Sequence, residues 1–210
     1  MHTKLIFLIG AGGHAKVVFD AILLNEISQT RVRITDRELK LKGKEFFDCK
    51  IEVPEVGIEM ANQLFHLAIG NNRARENIFN QLSELNAQPL TITHPDASIS
   101  RFSKIEAGAF IAAKAVVGPD AHIGLCSIVN HGAVVDHDCI IGNFSHIAPN
   151  ATIGGGVTIG SHVLIGAGAN ILPGIHIGDG SIVGAGSVVT SNIGPGEVKV
   201  GIPAKKLFRS

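Results

Sequence analysis

Residues 147–171 read IAPNATIGGGVTIGSHVLIGAGANI, with an isoleucine at Ile147, Ile153, Ile159, Ile165 and Ile171 and a second inward-type residue four positions after each, at Ala151, Val157, Val163, Ala169 and Ile175. Followed outward, the six-residue register runs without a slip from Ile99 to Val189, with valine taking the aliphatic place at Val117, Val129, Val135, Val183 and Val189. A helix repeats at 3.6 residues and a strand at two; only a parallel β-helix with hexapeptide rungs demands a period of six over this length. Three rungs make one triangular coil, so residues eighteen apart share a column. At ~4.8 Å per strand the rungs stack into a prism about 25 Å tall.

The aliphatic and small positions alternate along the inward face. Glycine directly after the aliphatic residue (Gly118, Gly124, Gly142, Gly154, Gly160, Gly166, Gly178, Gly184) is expected at corners that need unusual backbone angles. No loop interrupts the register between Ile99 and Val189. One subunit therefore has nothing with which to wall off a pocket, and a site is expected between subunits. Two columns matter for such a groove: His131, Pro149, Ala167 and Ala185 in one, and His137, Gly155, Pro173 and Ser191 in the other.

Residues 1–95 follow a different pattern. Lys4 to Ile9 is an apolar strand, Gly10-Ala11-Gly12-Gly13-His14 a glycine turn, and Val17, Val18, Ala21, Ile22 and Leu24 fall at helical spacing after it. Such a turn lets a ligand approach the backbone, and the free N–H groups of the helix start favour an anionic group. A second strand, Arg31 to Thr35, ends at Asp36, where a nucleotide-binding βαβ unit places its ribose-contacting carboxylate. Lys40 to Pro54 reads as polar and turn-rich, Phe65 to Gly70 as a strand running into Asn71-Asn72, and Arg73 to Leu85 as a helix burying Ile78, Phe79 and Leu82. After a short strand, Leu90 to Thr93, His94-Pro95-Asp96 ends the α/β pattern. About 95 residues make little more than half of a dinucleotide fold, which favours a single nucleotide over NAD(P).

Balanced charge, 18 basic against 18 acidic residues with no basic run, gives no electrostatic footprint for nucleic acid. The apolar run Leu5 to Ile9 is too short for a signal h-region or membrane span, so a cytoplasmic protein is expected. Cys49, Cys126 and Cys139 lack metal-ligand spacing and fit reduced thiols. Cys139 takes a small inward position and should be buried and inert, while Cys126 is expected to point outward without a neighbouring base; covalent catalysis is disfavoured.

Six histidines lie in the repeat: His122, His131, His137, His146, His162 and His176. On pattern alone a solvated ring accounts for each as well as catalysis does. His137 differs because Asp136 and Asp138 flank it, and a carboxylate beside an imidazole raises its basicity and orients its tautomer. Zinc hydrolyases on similar solenoids carry two histidines five residues apart, a spacing absent here, so no metal is expected.

Taken in order, Gly10-Ala11-Gly12-Gly13-His14, Ala68-Ile69-Gly70-Asn71-Asn72, Val135-Asp136-His137-Asp138-Cys139 with Ser145-His146, and Val200-Gly201-Ile202-Pro203-Ala204-Lys205 resemble the left-handed β-helix sugar acyltransferases that carry an α/β domain in front, the bacillosamine-pathway and sialic acid O-acetyltransferase-like subfamily. The resemblance implies an α/β N-terminal nucleotide-binding (Rossmann-like) domain, residues 1–95, followed by a left-handed parallel β-helix acetyltransferase domain, residues 96–210. The handedness comes from the resemblance alone. It also implies a homotrimer with acetyl-CoA between adjacent β-helices, no metal, and a UDP-linked 4-amino-4,6-dideoxy sugar as acceptor. His137 would be the general base and Asp138 its helper, with His146, Ala167 and Ala185 contacting the coenzyme. Gly12, Gly13, His14, Asp36, Arg37, Gly70 and Asn71 would hold the sugar nucleotide. Close relatives carry glutamate where this chain has Asp138, and one methylene less shortens the reach to the imidazole. O-acetylation of a sialic acid and a non-catalytic, nucleotide-sensing trimer are the competing readings.

Overall fold

The structure, a computed structural model, describes residues 4–207. The chain separates into two compact units, residues 1–95 and 96–210.

The first unit runs β1 (Ile6–Ile9), α1 (Gly13–Leu24), β2 (Val32–Thr35), β3 (Glu45–Phe46), β4 (Cys49–Glu52), β5 (Leu64–Leu67), α2 (Asn72–Glu84) and β6 (Gln88–Pro89). The strands form one sheet in the order β3-β4-β2-β1-β5-β6, parallel except for the β3–β4 hairpin. β1 is apolar throughout and wholly buried, as a central parallel strand covered on both faces must be. α1 buries Ala15, Val18, Phe19, Ala21 and Ile22, leaving Leu24 half exposed at its end. α2 buries Arg75, Ile78 and Leu82, with Phe79 only half-buried. The strand order reverses at β1, since β2 lies on one side and β5 on the other; the crevice at the carboxyl ends of these strands is where such sheets bind ligands.

Residues 40–54 depart from the expected polar turn. They hold the β3–β4 hairpin, and β4 extends the sheet with Ile51 beside Ile34. Only Phe46 and Ile51 of the hairpin are buried, too few for an alternating pattern to show.

In the second unit the rungs from Ser98–Ile99 to Val188–Val189 are two-residue strands, each ending on the aliphatic residue of its hexad. They form three parallel sheets. Each strand up to Asn170–Ile171 pairs with the one eighteen residues on, as in Val116↔Val134, Ile140↔Thr158 and His146↔Leu164. The aliphatic and small residues of the hexads together form one continuous core. Its serines are satisfied in sequence: Ser145 Oγ donates to the Gly160 carbonyl at 2.8 Å and accepts from the Val163 N–H at 3.0 Å.

The glycines after each aliphatic residue are not at the strained corners. Left-handed backbone falls two residues later, at Gly132, Gly156, Gly168 and Gly186, and also at Asp120, Asp138, Phe144 and His162. What the earlier glycine supplies is room for the next coil: a Cβ on Gly118 would stand 2.7 Å from the His137 nitrogen, and one on Gly166 2.5 Å from the Ala185 nitrogen. Cys126 also corrects expectation, because it is 2% exposed, on one of the left-handed corners. Cys139 is buried, its Sγ 3.1 Å from the Gly154 carbonyl, and burial pushes its thiol pKa up. Among the described residues, no helix is long and apolar enough to cross a membrane.

Candidate active site

The strand Val134–Val135 delivers Asp136, His137 and Asp138 to a corner of the second unit. Asp138 adopts a left-handed backbone with φ of 58°, which aspartate tolerates better than most residues. The turn brings its carboxylate back onto the neighbouring ring, and Nδ1–H of His137 donates to Asp138 Oδ2 at 2.7 Å. That is the length of a charge-assisted bond, so the shorter side chain reaches without loss. A carboxylate only accepts; Nδ1 therefore holds the proton and Nε2 offers its lone pair. The hydrogen bond to Asp138 and then the charge of Asp136 hold the His137 pKa above its ordinary value. Asp136 Oδ1 meanwhile accepts the backbone N–H of His137 at 2.7 Å, which anchors the turn. Both members of the pair are more than half exposed, 57% and 64%, so a reactant can reach the ring.

His146, Ala167 and Ala185 lie on another face of the prism. His146 belongs to the strand His146–Ile147, with the Asn130 amide nitrogen 3.1 Å from its Nε2. Ala167 and Ala185 follow the next two strands of that sheet, Leu164–Ile165 and Ile182–Val183, and both are exposed. The Gly186 N–H donates to the Ala167 carbonyl at 2.9 Å, tying successive coils into a smooth wall of small residues. Within one chain this wall and His137 belong to two different sheets.

The first unit holds a cavity of about 440 Å3 at the carboxyl ends of β1, β2 and β5. Gly12, Asp36, Arg37 and Asn71 line it together, with Gly10, Glu55 and Ile69 among their neighbours. Gly10 sits at φ of 103°, where a Cβ would press on the Ala68 carbonyl at 3.0 Å. Gly12 and Gly13 face open space at the start of α1, which has no side-chain cap. Asp36 braces the turn, accepting from the Ala11 N–H and from the Glu38 N–H at 2.9 Å each. Gly13, His14 and Gly70 are outside the cavity lining: His14 is half-buried in the first turn of α1, and Gly70 is exposed beside Asn71.

Sequence reasoning missed Arg75 and Glu55. Arg75 is 1% exposed and donates to the carbonyls of Ile69 at 2.8 Å and Gly70 at 3.3 Å, and to Asn72 Oδ1 at 2.9 Å, so it shapes the loop at the cavity edge. An arginine three residues after Asn72, on the apolar side of a helix, was the available signal. Burial raises the Glu55 pKa, opposed by the nearby Arg37. Among the described residues no group of three or more His, Cys, Asp or Glu side chains is placed to hold a metal ion.

Residues 5–82 match the PglD N-terminal domain family, and residues 156–191 match the bacterial transferase hexapeptide (six repeats) family. The curated UDP-N-acetylbacillosamine N-acetyltransferase of Bacillus subtilis is 36% identical over 114 residues, 52% of each protein, so the match spans about half the length of that relative. The acetyltransferase domain of PglB from Neisseria gonorrhoeae, solved with acetyl coenzyme A, is 32% identical, with 98% of this chain and 100% of that one covered and a TM-score of 0.86. A histidine variant of GDP-perosamine N-acetyl transferase from Caulobacter crescentus, solved with CoA and GDP-perosamine, is 28% identical, with 100% and 99% covered and a TM-score of 0.91. The fold is that of a hexapeptide-repeat transferase. The chain belongs to the family of two-domain sugar N-acetyltransferases in which a PglD-type domain precedes a left-handed β-helix.

Proposed function

We propose that this protein transfers the acetyl group of acetyl-CoA to the 4-amino group of a UDP-linked 4-amino-4,6-dideoxy sugar. The observation that carries the reading is the exposed His137–Asp138 pair at 2.7 Å, which leaves Nε2 as a proton acceptor. His137 takes the proton from the amine as its nitrogen bonds to the thioester carbonyl carbon. The carbon–sulfur bond then breaks, and the imidazolium returns a proton to the departing thiolate. Direct transfer suits the buried Cys139 and Cys126, neither of which is available as an acyl acceptor.

The exposed Ala167 and Ala185 wall fits the narrow pantetheine arm of the coenzyme, with His146 on the same sheet. The cavity with Gly12, Asp36, Arg37 and Asn71, flanked by Gly13, His14 and Gly70, suits a nucleotide sugar: open glycines and an uncapped helix start favour its phosphates. A homotrimer would set the His137 face of one subunit against the Ala167–Ala185 wall of another, and the cytoplasm supplies both substrates.

The test is thiol release from acetyl-CoA offered with a UDP-4-amino sugar, a GDP-4-amino sugar or free sialic acid. Release with the UDP-amino sugar alone is expected. Release with sialic acid alone would establish O-acetylation, and nucleotide binding without release under any acceptor would establish a sensing module. His137→Ala should lower turnover ~10²-fold or more, and its size-exclusion mass should remain that of a trimer.

A further inference from the structure

Gly154, Gly155 and Gly156 stand together on the coil that follows His137, and each lacks a side chain for a different reason. A Cβ on Gly154 would meet backbone, the Pro173 nitrogen at 2.9 Å and the Ile171 carbonyl at 3.0 Å. Gly156 has φ of 70° with open space around it, and its N–H donates to the His137 carbonyl at 2.9 Å. Gly155 needs neither. Its backbone is one that alanine adopts, but a Cβ would stand 2.5 Å from both Cε1 and Nε2 of His137 and 3.2 Å from Cδ2.

We infer that Gly155 is a positioning residue, whose missing side chain forms the seat on which the His137 imidazole lies. The obstacle a methyl group would meet is the far end of a flexible side chain, so the fold can absorb it by moving the ring. Moving the ring is what the site cannot absorb, because Nδ1 is held 2.7 Å from Asp138 and the reactive Nε2 edge is the part over Gly155. The charged groups acting on the ring are Asp138 and Asp136 of its own turn. The following coil offers only the three glycines there, and the preceding coil carries Pro119 and Asp120 in the same columns.

That His137 is the base rests on the proposed function; the seat itself does not, and the two are separable. In the wild-type protein the His137 Hε1 proton should show a nuclear Overhauser contact to the Gly155 α-protons, and its absence overturns the seat. Gly155→Ala should melt with the wild type, whereas Gly154→Ala should melt lower. In Gly155→Ala the NMR titration of His137 should move down toward the ordinary imidazole range as the Asp138 bond is lost. An unchanged titration in the folded variant overturns the inference, whatever the enzyme acetylates. If acetyl transfer is confirmed, kcat should fall about 10²-fold with KM for acetyl-CoA unchanged, the scale expected for an ångström-level displacement. The same substitution in the His137→Ala background should cost nothing further; an equal loss there would mean that Gly155 acts independently of the ring.

Discussion

Asp138 and His137 are neighbours in the chain, yet Asp138 Oδ2 lies 2.7 Å from His137 Nδ1. In an extended strand adjacent side chains point to opposite faces, so the contact exists only because Asp138 occupies the left-handed corner. Its carboxylate favours the protonated ring, which raises the His137 pKa. In the proposed role of general base the ring works when neutral, and the raised value would then set the acid limb of activity higher. Asp138→Asn should move the acid limb of the kcat/KM profile to lower pH and reduce kcat. A limb that stays in place would show that the carboxylate does not act on the ring.

His66 tests the first unit in the opposite sense. It is wholly buried, its Nδ1–H donates to the Leu90 carbonyl at 2.8 Å, and burial lowers its pKa from 6.5 to about 4. Between pH 6.5 and 4 the unfolded chain binds a proton that the folded one refuses, so stability falls as pH drops through this window. Over the whole window the loss is ~3 kcal/mol. A His66→Gln variant should show a flatter dependence of melting temperature on pH; parallel curves would remove His66 from the account.

Asn71 accepts the Ala74 N–H at 2.9 Å and caps α2. Asn71→Ala should cost about 0.5–2 kcal/mol of stability, with Asp or Ser at the same place recovering most of it. Equal unfolding midpoints for Asn71→Ala and the wild type in urea would argue that the cap contributes nothing.

The glycines that follow the aliphatic residues make a steric prediction. A Cβ on Gly142 would stand 2.5 Å from the Ser161 nitrogen, which cannot swing aside. Gly142→Ala should lose about 1–3 kcal/mol from overpacking, whereas Gly13→Ala, with nothing within 4 Å of its Cβ, should melt no lower than the wild type. Thermal unfolding of the two variants side by side decides it.

The solenoid was legible because each hexad repeats one physical demand, an aliphatic and a small residue facing a narrow core, and no tertiary accident interrupts the sum. The pairing of His137 with Asp138 was legible as adjacency, though its length depended on a corner angle that no spacing reports. The reason for Gly118 and Gly166 was not legible, since close approach to residues eighteen or nineteen positions on exists only once the coils are stacked. Glu55 escaped for a similar reason. It reaches the cavity through a loop whose composition resembles any polar connection, and only the fold sets it near Arg37. Arg75 reads as an ordinary helical cation until its guanidinium is seen gripping the Ile69 and Gly70 carbonyls.

Because each coil leans on the one eighteen residues away through a glycine contact, the β-helix has a natural unit of insertion and deletion. Removing six residues between His137 and Ala167 would carry one of them a third of a revolution around the axis, onto the wrong face. Removing eighteen would keep the face and shift it along the axis by one strand spacing, about 4.8 Å. Length variation in this part of the chain is thus quantised, and only whole coils can be gained or lost without changing the face on which each residue stands.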